Sequence, residues 1–419
     1  MKTKTDILVI GGGAAGLCAA WKGASLGAEV VLLEKNPKLG IKILISGGGK
    51  CNITHGGEID EMLRQFKPSE GRFLKHSFHS FTNTDVRRLL QENGVDTYER
   101  ENGKIFPVSH KAGDVVHAFR TLLEKLHVEI RANAPVLEIQ NGDSGDFAVR
   151  TVDTVVQAKT VVIAVGGNSY RKTGTTGDGY EWGKKFGHTI IPIRPALTPI
   201  LLQPVPSPHW QGTPVRDCVI SSESNGQTIA RYHGDVLLTH FGISGPATLE
   251  VTRDTYLEFE KGNHVSVYID FFPEDQPERV QEKVIQETRT SGAKNLLTYV
   301  EQLVPQRLAQ HITDQAGLNG TKKLNQLNKQ ERQSLVHTLK HCSIGAVKDI
   351  PLDMGEVTAG GISLQEVNPK TMESKFQEGL FFCGEILDIS GPVGGYNLQA
   401  AFSTGFVAGL SAAGKILQR

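Results

Sequence analysis

Residues 6–34 read DILVIGGGAAGLCAAWKGASLGAEVVLLE. Asp6 to Ile10 is a short β-branched apolar run of the kind that forms a strand buried on both faces. Leu17, Ala20, Trp21 and Ala24 recur at helical spacing, Gly27 stops that helix, and Ala28 to Leu33 is a second buried strand. Between strand and helix, Gly11 permits the tight turn, Gly13 lets the backbone approach a pyrophosphate, and Gly16 lets helix and strand pack closely. The helix start at Ala14 and Ala15 offers unpaired N–H groups and a positive dipole end to phosphate. Glu34, 18 residues after Gly16, ends the second strand where an acid accepts from ribose hydroxyls, with Lys35 beside it. A strand, glycine turn, helix and strand ending in an acid predict a dinucleotide site. They do not choose between FAD and NAD.

The chain has 419 residues, enough for two or three folded units, and 45 Lys+Arg stand against 45 Asp+Glu. Zero net charge excludes a broadly polyanion-binding protein and leaves room only for a local basic patch. Hydrophobic residues at 39% and charged residues at 21% exclude disorder. Glycine is in excess, 46 residues against an average near 7%, so backbone is expected to approach something closely. The five cysteines, Cys18, Cys51, Cys218, Cys342 and Cys383, are scattered and form no C-x-x-C pair. That pattern points to reduced intracellular thiols and no structural zinc. The start of the chain mimics a signal peptide, but its apolar stretch carries four glycines and is too short for a membrane span. A cytoplasmic protein with no membrane contact is expected. His337 and His341 have metal-competent spacing but no third ligand, and are read as a solvated helix face. No metal site is expected.

Further glycine motifs extend the dinucleotide reading. Residues 40–57 read as a glycine-rich loop, in which Ser46, Gly47, Gly48, Gly49, Cys51 and Asn52 can lie along a flat ring and hydrogen-bond to it. Short strands are expected over 128–140, where Val136 is assigned to the cofactor, and over 147–157. The strand Thr160 to Val165 leads into Gly166-Gly167, and Thr176-Gly-Asp-Gly179 follows. Near the end, Leu380 to Cys383 is a strand before Gly384-Glu385, with the acid placed for a ribityl chain. Then Gly394-Gly395-Tyr396-Asn397 opens a helix whose positive end suits an anionic reduced flavin. The character changes near Ile190, where prolines and extended segments begin. The spacing predicts an FAD domain from 1–190 plus 351–419, an inserted β domain at 191–275, and an inserted helical subdomain at 276–350. The fold class is α/β, with a Rossmann-like two-dinucleotide fold interrupted by the insertion.

VIGGGAAG, ISGGGKCN, THFGISGP and GGYNLQAA together closely resemble the HI0933-like family of bacterial FAD-dependent oxidoreductases, which includes aminoacetone-oxidase-type and 3-dehydro-bile-acid-reductase-type flavoproteins. The resemblance spans nearly the whole chain and implies FAD. Members are linked to amine oxidation and to C=C reduction, so the family alone does not fix the reaction. TGDG and the Gly-Glu pair are also similar to the fumarate reductase and aspartate oxidase group. Residues 169–172 read Ser-Tyr-Arg-Lys where that pattern has a proline near 171; Arg171 and Lys172 are read as a solvated turn, the alternative being that they face an anionic group.

Three side chains are candidates for the chemistry. Cys51 has no neighbouring cysteine, which argues against a dithiol mechanism; Lys50 beside it would favour a thiolate, and the alternative is a small packed residue under the flavin. His240, in Thr239-His-Phe-Gly-Ile-Ser-Gly-Pro246, suits proton transfer near neutral pH, against a structural histidine hydrogen-bonded within the β domain. Tyr396 is read as a flavin-wall residue or an acid. The expected function is hydride transfer between FAD and a small organic substrate, at a site between the flavin and the insertion. No second strand–G-x-G-x-x-G–helix is present, so NADH or NADPH would reduce the flavin as a transient visitor. No nucleic-acid partner is expected. The alternatives are a tRNA-modifying flavoprotein and a flavin-binding sensor without turnover. Oligomeric state is not legible.

Overall fold

A computed structural model describes residues 3–142 and 145–417. The chain forms two compact units, the first comprising Met1–Arg194 with Val357–Arg419 and the second Pro195–Glu356. The first unit opens with β1 (Lys4–Ile10), α1 (Ala14–Ser25), β2 (Val30–Leu33), α2 (Ile41–Gly49) and β3 (Thr54–His55). Next come α3 (Ile59–Arg64), α4 (Pro68–Ser80), α5 (Asn83–Glu92), β4 (Thr97–Glu99), β5 (Lys104–Pro107) and α6 (Ala112–Lys125). The chain then runs through β6 (Glu129–Arg131), β7 (Val136–Asn141), β8 (Phe147–Thr151), β9 (Val155–Ile163), α7 (Asp178–Lys185) and β10 (Ile190–Ala196).

The central sheet has the order β6-β2-β1-β9-β8-β7. β1 lies parallel to both β2 and β9, with Ile7 opposite Val30 on one side and Thr160 on the other. β1 and β2 are apolar throughout their buried lengths because helices cover parallel sheets on both faces. Each fully buried Leu, Ile or Val there contributes about 1.5–3 kcal/mol. After the second unit the chain returns as β17 (Val357–Ile362), β18 (Leu380–Phe382) and α13 (Tyr396–Leu417); β18 adds to the sheet beside β9, parallel to it. The two ends of the chain therefore share one sheet and one core, in which Ile7, Leu17, Val162, Phe381 and Phe402 are all buried. α13 has 22 residues and is apolar and long enough to span a bilayer, yet more than half of it is buried within the fold.

The second unit contains a closed barrel of β11 (Ile200–Gln203), β12 (Pro214–Ser224), β13 (Gln227–Leu238), β14 (Gly242–Ser244), β15 (Ser266–Asp270) and β16 (Cys342–Asp349). α8 (Pro246–Glu260) precedes β15, while α9 (Pro277–Thr290), α10 (Leu296–Leu303), α11 (Gln306–Gln315) and α12 (Lys329–Lys340) lie between β15 and β16. Barrel strands and helices bury one shared cluster, including Ile269, Leu308, Leu335 and Val347. The boundary drawn at 275 from sequence thus falls inside a single core, because β16 returns to complete the barrel after the helices. α8 is also a departure from the extended reading: its Thr, Val, Tyr and Phe residues suit strands, but Pro246 at its first turn starts a helix and tertiary packing keeps it.

A buried histidine in the first unit gives the fold a pH dependence. His188 Nε2 lies 2.7 Å from Ser374 Oγ. That hydroxyl already accepts from Phe376 N and Gln377 N, so its own proton goes to Nε2 and the ring carries its hydrogen on Nδ1, which lies 3.6 Å from Glu366. Burial pushes the imidazole below its ordinary value, outweighing the opposing pull of Glu366. The unfolded chain, with a pKa near 6.5, then binds the proton more readily than the folded one. The neutral ring's contribution is complete above about pH 6.5 and is lost as pH falls below it. Thermal melts at pH 7.5 and 5.5 are expected to show a smaller acid-side loss for His188→Gln than for the parent chain. An unchanged difference would remove His188 from the acid response.

Candidate functional site

The cradle is built where β1 meets α1. Gly11 has φ +103°, and a Cβ there would meet the Ala164 carbonyl oxygen at 2.5 Å. A Cβ on Gly16 would lie 1.8 Å from the Gly11 oxygen. Gly13 is different: its Cβ would meet nothing within 4 Å. The space facing it is open, and no side chain caps the start of α1, which leaves the first helical amides and the dipole for an anion. Glu34, buried at the end of β2, accepts from Gly12 N at 2.7 Å, Asn36 N at 2.8 Å and Asn36 Nδ2 at 2.7 Å. The acid expected to face a ribose also braces the glycine turn. Ala134 N donates to the Glu34 carbonyl, which brings the chain just ahead of Val136 to this edge. Lys35 turns to Asp178 at 2.7 Å and Thr176 Oγ1 at 2.5 Å, tying TGDG to the end of β2. These residues fit a bound adenine dinucleotide: an open glycine cradle, uncapped amides and a buried acid.

The segment read as a loop at 40–57 begins as helix α2. Gly40 at φ +66° starts it, and it breaks at Ser46, Gly47 and Gly48, whose backbones leave the helical region. Ser46 Oγ donates to the Ile43 carbonyl. Cys51 follows at φ +59° and is wholly buried. Burial pushes its thiol up to about 12, so the thiolate favoured by Lys50 in the sequence reading is not formed. Cys51 is a packed thiol. Cys51→Ser is accordingly expected to leave FAD content and flavin reduction within about twofold of the parent; stopped-flow reduction with NADH and NADPH checks this, and a tenfold slower reduction with FAD retained would return the thiol to the chemistry.

The amide of Asn52 accepts from Gly395 N and donates to the Thr54 and Ile105 carbonyls. Thr54 Oγ1 donates to Gln399 at 2.6 Å. Gly395, at φ +94°, sits where a Cβ would meet the Thr54 backbone at 2.4 Å. The start of α13 is therefore locked to the 51–55 segment by close backbone contact. Tyr396 stacks on His55 with ring centroids 4.7 Å apart, and Phe66 meets it edge-on at 6.2 Å. Both ring nitrogens of His55 face carbonyls, Gly56 O at 2.7 Å and Asn102 O at 3.2 Å. Asn397 binds back to Gly391 and Pro392, shaping the turn ahead of the helix.

Glu385 is the hub of a network that the sequence did not suggest. Its Oε2 takes Lys42 Nζ at 2.6 Å, while Oε1 takes Thr358 N at 2.8 Å and Ser169 Oγ at 3.1 Å. Lys42 also reaches Ser169 Oγ at 2.9 Å. Gly167 fits there because a Cβ would lie 2.4 Å from Thr358 Oγ1 and 2.9 Å from Glu385. Gly166, at φ +75°, packs on Thr175, and Gly384, at φ +77°, packs on Ala15. Tyr180 is buried beside this network, and burial, with the nearby Glu385 and Asp388 charges, raises its phenol well above the ordinary value. Arg171 donates to Asn168 Oδ1 at 3.2 Å within the 168–173 turn.

In the second unit, His240 is exposed and meets Phe241 edge-on at 5.0 Å. Its ring makes no side-chain hydrogen bond among the described residues, so the hydrogen-bonded structural role is not what holds it. Thr239 Oγ1 accepts from Gly242 N at 3.1 Å, which makes THFG a tight turn into β14. His341 pairs with Glu223 at 2.9 Å and stacks on Tyr268, which a solvated face would not show. No group of three or more metal-binding side chains is found among the described residues.

The description "HI0933-like protein Rossmann domain" matches residues 5–411. The chain belongs to this HI0933-like family. It is an FAD-dependent oxidoreductase. It is 30% identical over 419 residues to a ribosomal RNA dihydrouridine synthase of Haemophilus influenzae, covering 98% of this chain and 99% of that one. A protein of the same name from Escherichia coli is 31% identical over 95% of this chain and 96% of its own. The 3-dehydro-bile acid delta(4,6)-reductase of Clostridium scindens is 28% identical over 97% and 98%. Among solved folds, 3-ketosteroid delta1-dehydrogenase from Sterolibacterium denitrificans aligns with TM-score 0.55 at 13% identity, over 99% of this chain and 100% of that one. The fold of this HI0933-like protein is thus that of a flavoprotein with an inserted second unit.

Proposed function

We propose that the protein saturates a carbon–carbon double bond conjugated to a carbonyl, and that its substrate is a uridine of ribosomal RNA. The observation carrying this reading is the full-length similarity, at 30% and 31% identity, to two proteins named for making dihydrouridine. Uracil C5=C6 is conjugated to the C4 carbonyl, so it accepts a hydride at C6 and a proton at C5. The zero net charge of the chain also hides an asymmetry. The first unit holds 30 Lys+Arg against 26 Asp+Glu, and the second 15 against 19.

Reduced FAD, when bound, supplies the hydride, and NADH or NADPH supplies it to the flavin. The amides at the start of α1 would hold the pyrophosphate of a bound FAD, and Glu34 the adenosine ribose. The N-terminus of α13 would favour negative charge on a reduced ring. Tyr396, backed by His55 and Phe66, walls the site and excludes water. Cys51 is too deeply buried to serve as the acid. His240, exposed and with no side-chain hydrogen bond among the described residues, is the side chain assigned to proton transfer. The balanced reaction is uridine plus NAD(P)H plus a proton giving dihydrouridine plus NAD(P)+.

Reaction of the FAD-loaded protein with NADPH and protein-free ribosomal RNA, followed by nuclease digestion and mass spectrometry, is expected to show uridine gaining two hydrogens. His240→Ala is expected to lower that yield more than tenfold without lowering FAD content. The reading fails if RNA is unchanged in parallel with reduction of an added bile-acid dienone. That outcome would favour the second reading, a small-molecule enone reductase, which the similarity to the Clostridium scindens protein supports.

A further inference from the structure

We propose that the exposed face of α4 binds the phosphodiester backbone of the substrate RNA. This rests on the ribosomal RNA reading above. Arg72, Lys75, His76 and His79 fall at i, i+3, i+4 and i+7 of the helix, and all four are exposed. That spacing places them in one stripe about 10 Å long. The opposite face, Phe73, Leu74, Ser77 and Phe78, is buried. The one acid of the helix, Glu70, is buried too, at 3% exposure.

No other described helix carries more than one exposed charged side chain without an acid among them. α9, for contrast, interleaves Glu278, Arg279, Glu282, Lys283 and Glu287. Acids on neighbouring α3 reach only part of the α3–α4 pair: Asp60 lies 3.3 Å from His79, and Glu61 lies 4.0 Å from Arg64. Among the described residues, Arg72 and Lys75 form no ion pair, and Lys67 just ahead of the helix is likewise exposed and unpaired.

Arg72 and Lys75, unpaired cations one helical turn apart, can each take a phosphate of the RNA backbone. The same helix connects inward to the cofactor end of α13. Phe78 meets Phe66 edge-on at 5.8 Å, and Phe66 meets Tyr396. An RNA backbone held along α4 is thus anchored on an element that packs against the start of α13, and phosphate contacts fix position while the site selects the base.

The test uses FAD-loaded full-length protein, protein-free ribosomal RNA and filter binding across a salt series. The double variant Arg72→Gln/Lys75→Gln is expected to bind about tenfold more weakly and to reduce the slope of log K against log[salt] by about 1.5. FAD content, melting temperature and NADPH-driven flavin reduction should match the parent. Removing the same charge from α9, with Arg279→Gln/Lys283→Gln, should leave RNA binding within twofold. Parent-like affinity and slope in the α4 variant, with the parent binding RNA, overturn the α4 assignment alone. No RNA binding or modification by the parent overturns the RNA reading together with it. Stronger binding of the parent to phosphatidylglycerol vesicles than to RNA, lost in the same variant, reassigns the stripe to a lipid surface and also overturns the proposal.

Discussion

Gly13→Val is expected to give a folded, colourless protein. Gly13 has φ −81° and ψ −173°, extended backbone that valine adopts readily. Its added side chain would meet no protein atom within 4 Å of the Cβ. The fold loses no packing, only a better N-cap residue worth up to about 1 kcal/mol, so the apo melting temperature should stay within about 3 °C of the parent's. The open space it fills lies in front of the first amides of α1, where a pyrophosphate would sit. Charge-assisted hydrogen bonds are worth about 1.5–3 kcal/mol each, so losing two weakens FAD by at least about a hundredfold. Gly16→Val makes the opposite case. Its Cβ would fall 1.8 Å from the Gly11 oxygen, and that variant should fail to fold. FAD per chain after reconstitution, with a melt of the apo form, separates the two. Full flavin occupancy in Gly13→Val would mean the phosphates lie elsewhere.

The contrast also explains what could be read in the sequence. The roles of Gly11, Gly13 and Gly16 depend on local chain direction over a few residues, and strand, turn and helix signals fix that direction. Glu34 was legible for the same reason. Lys42, Ser169, Thr358 and Glu385 come from four separated stretches, and nothing periodic in any one of them announces the others. Glu385 was visible as an acid after a glycine. That both of its oxygens would be engaged by protein groups was not. The pairing of His55 with Tyr396 was hidden likewise, because a two-strand contact at β3 and β5 sets the position of His55. In the second unit, the β-branched content of α8 suggested strand, whereas Pro246 at its first turn and packing against β12 and β13 hold it as a helix. Cys51 was read with its sequence neighbour Lys50, whereas its burial decides its protonation.

Gly405→Leu is the second large effect, and its cause lies far along the chain from the cradle it should destroy. Gly405 and Gly409 are four residues apart on α13 and so share one face. A Cβ on Gly405 would meet the Ala15 oxygen at 2.2 Å, and one on Gly409 the Ala19 oxygen at the same distance. α1 and α13 thus touch backbone to backbone, and their small residues exist to permit it. Both partners at the first contact are backbone, so neither can swing aside, and a leucine must push the helices apart. Overpacking of this kind costs about 1–3 kcal/mol where side chains can adjust, and more where they cannot. The displacement is felt at Ala15, in the first turn of α1, and Ala15 also packs against Gly384. Moving α1 therefore shifts the glycine cradle and the Gly384-Glu385 turn together. Gly405→Leu is expected to lower the melting temperature by 10 °C or more, on the order of the loss expected for several kcal/mol, and to lose FAD as well. Gly414→Ala is the matched control on the same helix. Its Cβ meets nothing within 4 Å, and replacing a helical glycine should stabilise by up to about 1 kcal/mol. A Gly405→Leu protein that melts like the parent and still binds FAD would mean that α1 and α13 need not touch to hold the cofactor.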